Sequence, residues 1–371
     1  GTFFLGDGSA SPKRTVLLRR GLRLAGHRDG DEWRTIIRGG GEGSCGPTEI
    51  ESGPLQVVNE ADDHPTVLED LWLREWTAEA VCIEAVRGFV LRRCRLSHPV
   101  NTTKEGAIRF VHALWTTGAK ARGDFDVEGN LVELGGYDGP PADDEQFLGV
   151  FFSNHDTVRV VDNVITGIDE AIEIIGNRVD RTARGEGPPA QGPAEVIVTG
   201  NRIDVTQQPG ERWPSTFAIL IAGNRGADAV RIEDNHLTVR GKGYAFGLSG
   251  ERLRIAGNTV RFERFEGSDP AGVMTIGFGP LAGLPMGSSL HDSVFEDNVF
   301  EGAVREVGIV FRPGRGDEAN TSHGNRFALG DSLAKLGAAA TLVLPATVHD
   351  NVFTGDTGTV LDESPPGANR Y

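Results

Sequence analysis

Short alternations of apolar and polar residues recur along this chain, each interrupted at the same point by a polar pair ending in asparagine. Residues 158–167 read VRVVDNVITG, 196–203 VIVTGNRI, 230–237 VRIEDNHL and 253–260 LRIAGNTV. Later copies are VFEDNVFEG at 294–302 and TVHDNVFTG at 347–355. Around each pair every second residue is apolar, as in Val158 and Val160 or Val230 and Ile232. That period of two marks strands with one buried face. Each copy therefore predicts a strand, a sharp corner and a second strand.

In register, the asparagines are Asn130, Asn163, Asn201, Asn235, Asn258, Asn298, Asn325 and Asn351, spaced by 33, 38, 34, 23, 40, 27 and 26 residues. Cys94, in FVLRRCRLSH, occupies the place of a further asparagine, and Leu71, in VLEDLWLRE, marks a still earlier copy. A repeat of this length with variable spacing predicts stacked coils whose loops absorb the insertions. The expected role of each Asn is mechanical. A corner needs a left-handed residue, which Asn tolerates better than most. Stacked amides can also hydrogen-bond along the column.

A third strand precedes most copies: AVCIEA (80–85), AIRFVH (107–112), GVFFSN (149–154), AIEIIG (171–176), AILIAG (218–223) and YAFGLSG (244–250). VMTIGF (273–278) and VGIVFR (307–312) continue the series. Three short strands per coil, with no amphipathic helix between them, predict parallel pairing by stacking and exclude Rossmann and barrel α/β folds. A propeller would need four strands per blade at a more even period. The expectation is an all-β solenoid of about ten coils. It would be one domain over residues 1–360, with its first coils in 15–75 and a tail or cap at 361–371.

Composition agrees with this reading. Of 371 residues, 51 are Gly and only 7% are aromatic, which suits many short strands and tight turns. A net charge of −16 and a pI near 5.0 argue against nucleic acid or an anionic membrane surface as partner. Cys45, Cys82 and Cys94 fit no zinc spacing, and they are expected to be buried free thiols. No run is apolar enough to span a membrane as a helix. The opening GTFFLGDG reads like the inside of a domain, so a trimmed leader is expected.

The repeated units, together with the opening TVLLRRGLRLAGHRDGDEWRTIIRGG (15–40), resemble the right-handed parallel β-helices of the pectate-lyase-like superfamily. The resemblance covers roughly residues 15–360. It implies an exported protein, secreted or periplasmic. It also implies an acidic polysaccharide or oligosaccharide lying in an outer groove beside the third strand.

On that face the outward positions are expected to run Cys82, Arg109, Phe151, Glu173, Leu220, Gly247 and Thr275. Ionisable character concentrates between about residues 80 and 178. The expected catalytic set is Arg109, His112, His155 and Glu173, with Glu84, Lys104, Asn154, Asp156, Asn177 and Arg178 binding substrate. Arg109 or Lys104 would neutralise a uronate carboxylate and acidify the adjacent C–H, and His112 or His155 would move the proton. Glu173 would hold an Arg, or act as an acid with Glu84 on a neutral glycoside. GVFFSNHDTVRVVDN (149–163) is similar to a segment of the mannuronan epimerases. Their Asp-Pro-His-Asp motif falls on Ser153, Asn154, His155 and Asp156, so the last two residues match and Ser153 replaces the first Asp.

These resemblances imply a lyase or epimerase of uronate-containing glycans. The alternatives are a non-catalytic glycan-binding or structural β-helix, and a small-molecule isomerase or cyclase on the same fold. No cofactor is expected to be required. GGYDGPPADDEQ (135–146) is acidic enough for Ca2+, but its prolines and irregular ligand spacing suit a solvated loop.

Overall fold

The structure, a computed structural model, describes residues 2–4, 16–18, 21–39, 41–42, 52–59, 64–76, 79–86, 88–99, 109–116, 124–134, 145–153, 157–175, 195–206, 217–224, 229–240, 244–263, 273–276, 290–303, 321–330, 342–344, 348–355, 360–362 and 366–370. Every regular element among them is a strand. The chain packs as two compact units, Gly1–Glu173 and Ile174–Tyr371. Each is a parallel β-helix, right-handed as parallel crossovers are.

Within each unit, strands from successive coils pair in parallel to form three sheets. One holds the strands that lead into the corner, such as Asp124–Glu128 and Thr157–Val161 in the first unit, or Ala229–Glu233 and Leu253–Ala256 in the second. Another holds those that leave it, such as Leu131–Glu133 or His236–Arg240. The third is built from longer strands: Glu79–Val86, Arg109–Thr116, Glu145–Ser153 and Glu170–Ile175, then Phe217–Asn224 and Tyr244–Glu251. Inward residues stack in kind. Leu55, Val81, Leu114 and Val150 share a register and are all but fully buried. In the second unit Phe300, Phe327 and Phe353 stack face to face, with centroids 5.1 and 4.8 Å apart.

The corner differs from expectation in one respect. The left-handed φ falls on the residue before each asparagine: Gly129, Asp162, Gly200, Asp234, Gly257, Asp297, Gly324 and Asp350, with φ between 53° and 67° bar Asp297 at 52°. Arg93 and Asp70 take the same conformation before Cys94 and Leu71, which places both in the asparagine column. Asp and Gly alternate strictly from Gly129 onward. Steric crowding explains the glycines, because a Cβ on Gly257 would lie 2.5 Å from Asp234 Oδ1. Electrostatics favours the same pattern. Alternation keeps the carboxylates two strand spacings, about 10 Å, apart, which is about a Debye length.

The asparagine is freed by this arrangement to satisfy the interior. Asn298 donates from Nδ2 to the Ile255 carbonyl and to Asn325 Oδ1, both at 2.9 Å, and from its backbone N–H to the same Oδ1. Its own Oδ1 accepts the backbone N–H and the Nδ2 of Asn258 at 3.0 and 2.9 Å. The pattern repeats from Asn201 to Asn351. It extends into the last stretch, where Asn369 Oδ1 accepts both donors of Asn351 and Arg370 bridges to Val352. In the first unit the column runs from Asn163 through Asn130 to Cys94. Cys94 copies the asparagine with a thiol. Its Sγ accepts the Leu71 N–H and points at the Leu68 carbonyl, 3.6 Å away.

Charged groups on the outside bind coil to coil. Glu69 is buried, and Arg23, Arg92 and Arg93 all reach its carboxylate. Burial raises its pKa, but the hydrogen bonds from Arg23 and Arg92 and their charges outweigh that effect and hold it below the usual range. Arg93 also grips Asp70 bidentately at 2.9 and 2.8 Å.

Two stability measurements check the column. Asn298→Ala strands the buried Asn258 backbone N–H and the Ile255 carbonyl, so it should cost about 4 kcal/mol in urea unfolding, at 1–3 kcal/mol per orphaned group. Cys94→Asn exchanges a weak thiol bond for a full amide bond and should gain about 1 kcal/mol. A neutral Asn298→Ala would show that packing alone carries the column.

Candidate functional site

The outward face of the third sheet is set by strand register. Cys82 pairs with Gln56 on one side and Trp115 on the other, and Trp115 pairs with Phe151. Phe147 and Asp169 then join the next two strands: the Asp169 N–H donates to the Phe147 carbonyl at 2.9 Å, and the Phe147 N–H to Asp169 Oδ2 at 2.7 Å. Glu145–Ser153 and Glu170–Ile175 are neighbouring strands, and Glu173, between buried Ile172 and Ile174, shares the outward phase of Phe151, between buried Val150 and Phe152. The outward series of the first unit is therefore Gln56, Cys82, Trp115, Phe151 and Glu173.

Arg109 does not belong at the position expected for it. Its strand runs Arg109–Thr116, beginning two residues later and ending four residues later than the pattern suggested. Arg109 pairs with Glu145, and Trp115 holds the place in the series. Six residues of strand, about 20 Å, separate the two. His112 pairs with Glu79 and Leu148, in the alternation phase of buried Leu114 and not that of Trp115. Glu84 sits at a bulge, since pairing steps from Ile83↔Val57 directly to Ala85↔Val58. Lys104, Asn154, His155, Asp156, Asn177 and Arg178 lie outside the described residues, as does nearly all of the 135–146 loop. Among the described residues no group of three or more His, Cys, Asp or Glu is arranged to hold a metal ion.

Glu173 is an expected site residue that lies among the described residues. It lies between buried Ile172 and Ile174 on the outward phase and is partly accessible. Burial pushes its carboxyl up to about 7, against a side-chain hydrogen bond with Glu170 that acts in the opposite direction. A carboxylic acid that keeps its proton to neutrality, held by a second carboxyl group, can donate that proton to a reacting oxygen. Glu170 and Trp115 were not among the expected site residues. The continuing alternation of HALWTT was the available signal for Trp115. Nothing in one sequence reveals a shared proton.

Of the cysteines expected to be buried free thiols, Cys94 is one, Cys82 departs from expectation, and Cys45 lies outside the described residues. Cys82 is disulfide-bonded, while Cys94 is a free buried thiol whose pKa burial pushes up to about 12.

No family model matches the chain, and no curated protein matches it. Among solved structures, the family 28 exopolygalacturonase of Yersinia enterocolitica aligns with 100% of this chain and 70% of its own, at 10% identity and a TM-score of 0.41.

The raised acid has a cost in stability. In the folded state Glu173 binds its proton more tightly than an unfolded Glu does, so folding stability must fall as pH rises from about 4.5 to about 7. Glu173→Gln removes that penalty. It should leave stability unchanged at pH 4 and raise it by about 1–3 kcal/mol at pH 8 in denaturant titrations. An equal effect at both pH values would mean that Glu173 titrates normally.

Proposed function

We propose that the protein cleaves glycosidic bonds in uronate-containing glycans, with Glu173 as the proton donor to the leaving oxygen. One observation carries this reading: a carboxyl group raised to about 7, partly accessible, on the same outward phase of the third sheet as Phe151. A glycosidic oxygen leaves as a poor alkoxide unless it is protonated as the bond breaks, and a carboxylic acid with a raised pKa supplies that proton at neutral pH. Glu170 holds the acid and shares the local charge once the proton is gone. Phe151 offers an apolar surface on which a sugar face can rest.

The substrate class comes from the resemblance to the pectate-lyase-like superfamily, in which polymeric sugars lie beside this strand. An extracytoplasmic location belongs to the same proposal, and the Cys82 disulfide supports it, because such bonds persist in oxidising compartments. Both routes to cleavage use the acid. In hydrolysis, water adds across the broken bond and leaves saturated ends. In elimination, a base removes the C5 proton and an unsaturated uronate forms. His155, outside the described residues, is the base offered for that second route.

The test is turnover of pectate, alginate and glucuronan, followed by reducing ends and by absorbance of unsaturated uronate. Activity should decline as pH rises through about 7, where Glu173 loses its proton. Glu173→Gln should lower kcat by roughly 10²- to 10⁴-fold with little change in KM and an unaltered circular dichroism spectrum. A Glu173→Gln protein that turns over at the wild-type rate removes the acid from the mechanism.

A further inference from the structure

We propose that His323 and His349 form a two-imidazole site for a late first-row divalent cation, Zn2+ or Cu2+, which ties together the paired strands Thr321–His323 and Val348–His349. The site belongs to the second unit and is independent of the glycan reading above.

The sequence already sets the pair in register. Two residues before the column asparagine the other repeats carry Glu, Val, Thr or Ala, but SHGN (322–325) and VHDN (348–351) carry His in succession. Glu296 holds the same place in the repeat before them. Parallel pairing then sets Glu296 beside His323, and His323 beside His349. The two rings lie 13° from parallel with centroids 5.3 Å apart, close to the spacing of neighbouring strands. Their side chains are 34% and 49% exposed, so the outer edges are free to tilt together.

Each ring has a carboxylate on one nitrogen. His323 Nε2 lies 3.2 Å from Glu296 Oε2, and His349 Nδ1 lies 2.7 Å from Asp350 Oδ2. A carboxylate only accepts, so in the neutral imidazole the nitrogen facing it carries the proton. The lone pairs therefore fall on His323 Nδ1 and His349 Nε2. Glu296 is itself held, because Arg254 donates to its Oε1 from Nε and Nη2 at 2.8 and 2.6 Å. A ring that gives one N–H to a fixed carboxylate and offers its other nitrogen is the form in which histidine binds metals. Imidazole suits Zn2+ and Cu2+, whereas Ca2+ and Mg2+ take oxygen ligands. An ion at about 2.0–2.1 Å from each nitrogen needs the two about 3 Å apart, which a tilt of the exposed rings supplies. No third protein donor is arranged there among the described residues, so water fills the other positions. Val348–His349 pairs over only two residues, and a link through the metal adds a cross-strand bond where the ladder is short.

The experiment titrates Zn2+ alone into untagged, metal-free protein by calorimetry, with Ca2+ and Mg2+ for comparison, and follows Cu2+ by electron paramagnetic resonance. Zn2+ should bind at the pair, and the Cu2+ spectrum should carry coupling to two imidazole nitrogens. Glu296→Gln, which keeps an acceptor for His323 but loses the charge, should weaken Zn2+ binding about tenfold and leave both nitrogens in the spectrum. His323→Ala and His349→Ala should each cost at least that much and remove one nitrogen. His236→Ala, exposed on the sheet that leaves the corner, should change neither readout. Both pair positions lie outside the core, so their alanine variants should keep the wild-type circular dichroism spectrum. Zn2+ affinity that survives in both variants would overturn the proposal. So would Ca2+ binding as tightly as Zn2+, or a wild-type Cu2+ spectrum without two nitrogens.

Discussion

The hydrogen bonds of buried amides are the constraint on which the rest of this structure depends. A solenoid of short strands must turn the chain inside its own wall, and each turn leaves backbone donors and acceptors where water cannot reach. Leaving one unmade costs about 1–3 kcal/mol, and a column of corners would multiply that cost beyond the stability of an ordinary domain. Asparagine is suited to the position because one side chain supplies both an acceptor and two donors. Its Oδ1 accepts two bonds from the preceding coil, and its Nδ2 donates to the next coil and to a strand carbonyl. Serine has too short a reach and leucine no polar atom. The first coils, with Leu71 and Cys94 in the column, are bound instead by ion pairs around Glu69.

Legibility in the sequence divides along the same physical line. Corners were readable because their chemistry is local and repeated: apolar alternation, then Asp or Gly, then Asn. Even there, the left-handed residue was assigned one position late. The amide column selects asparagine more strongly than the backbone twist does, and the twist is left to Asp or Gly. The substitution of Cys94 was equally readable, since it fell in register. Third strands were found but misaligned at one coil. AIRFVH and HALWTT both alternate, and only pairing with neighbouring strands decides that Trp115, not Arg109, stands beside Phe151.

The candidate site was legible in part for a different reason. Glu173 could be placed on the outward phase from alternation between Ile172 and Ile174. Its protonation could not, because desolvation is the sum of everything packed around a group and leaves no pattern in the residues on either side. The same holds for the burial of Gln56 and Cys82 on the outward phase. Polar and small residues at outward positions read as exposed until something from elsewhere in the chain is found to cover them.

These features meet in the energetics of Glu173. A solenoid held by its corners and by stacked inward residues can give up favourable solvation on one outward position without losing its fold. The penalty falls on the carboxylate form of a single group, grows only above about pH 4.5, and is complete near pH 7. An acid of that kind is useless in an open groove, where water would restore the ordinary carboxylate range. It needs cover. Proton retention at Glu173 is therefore a property of what packs around it and not of the residue alone.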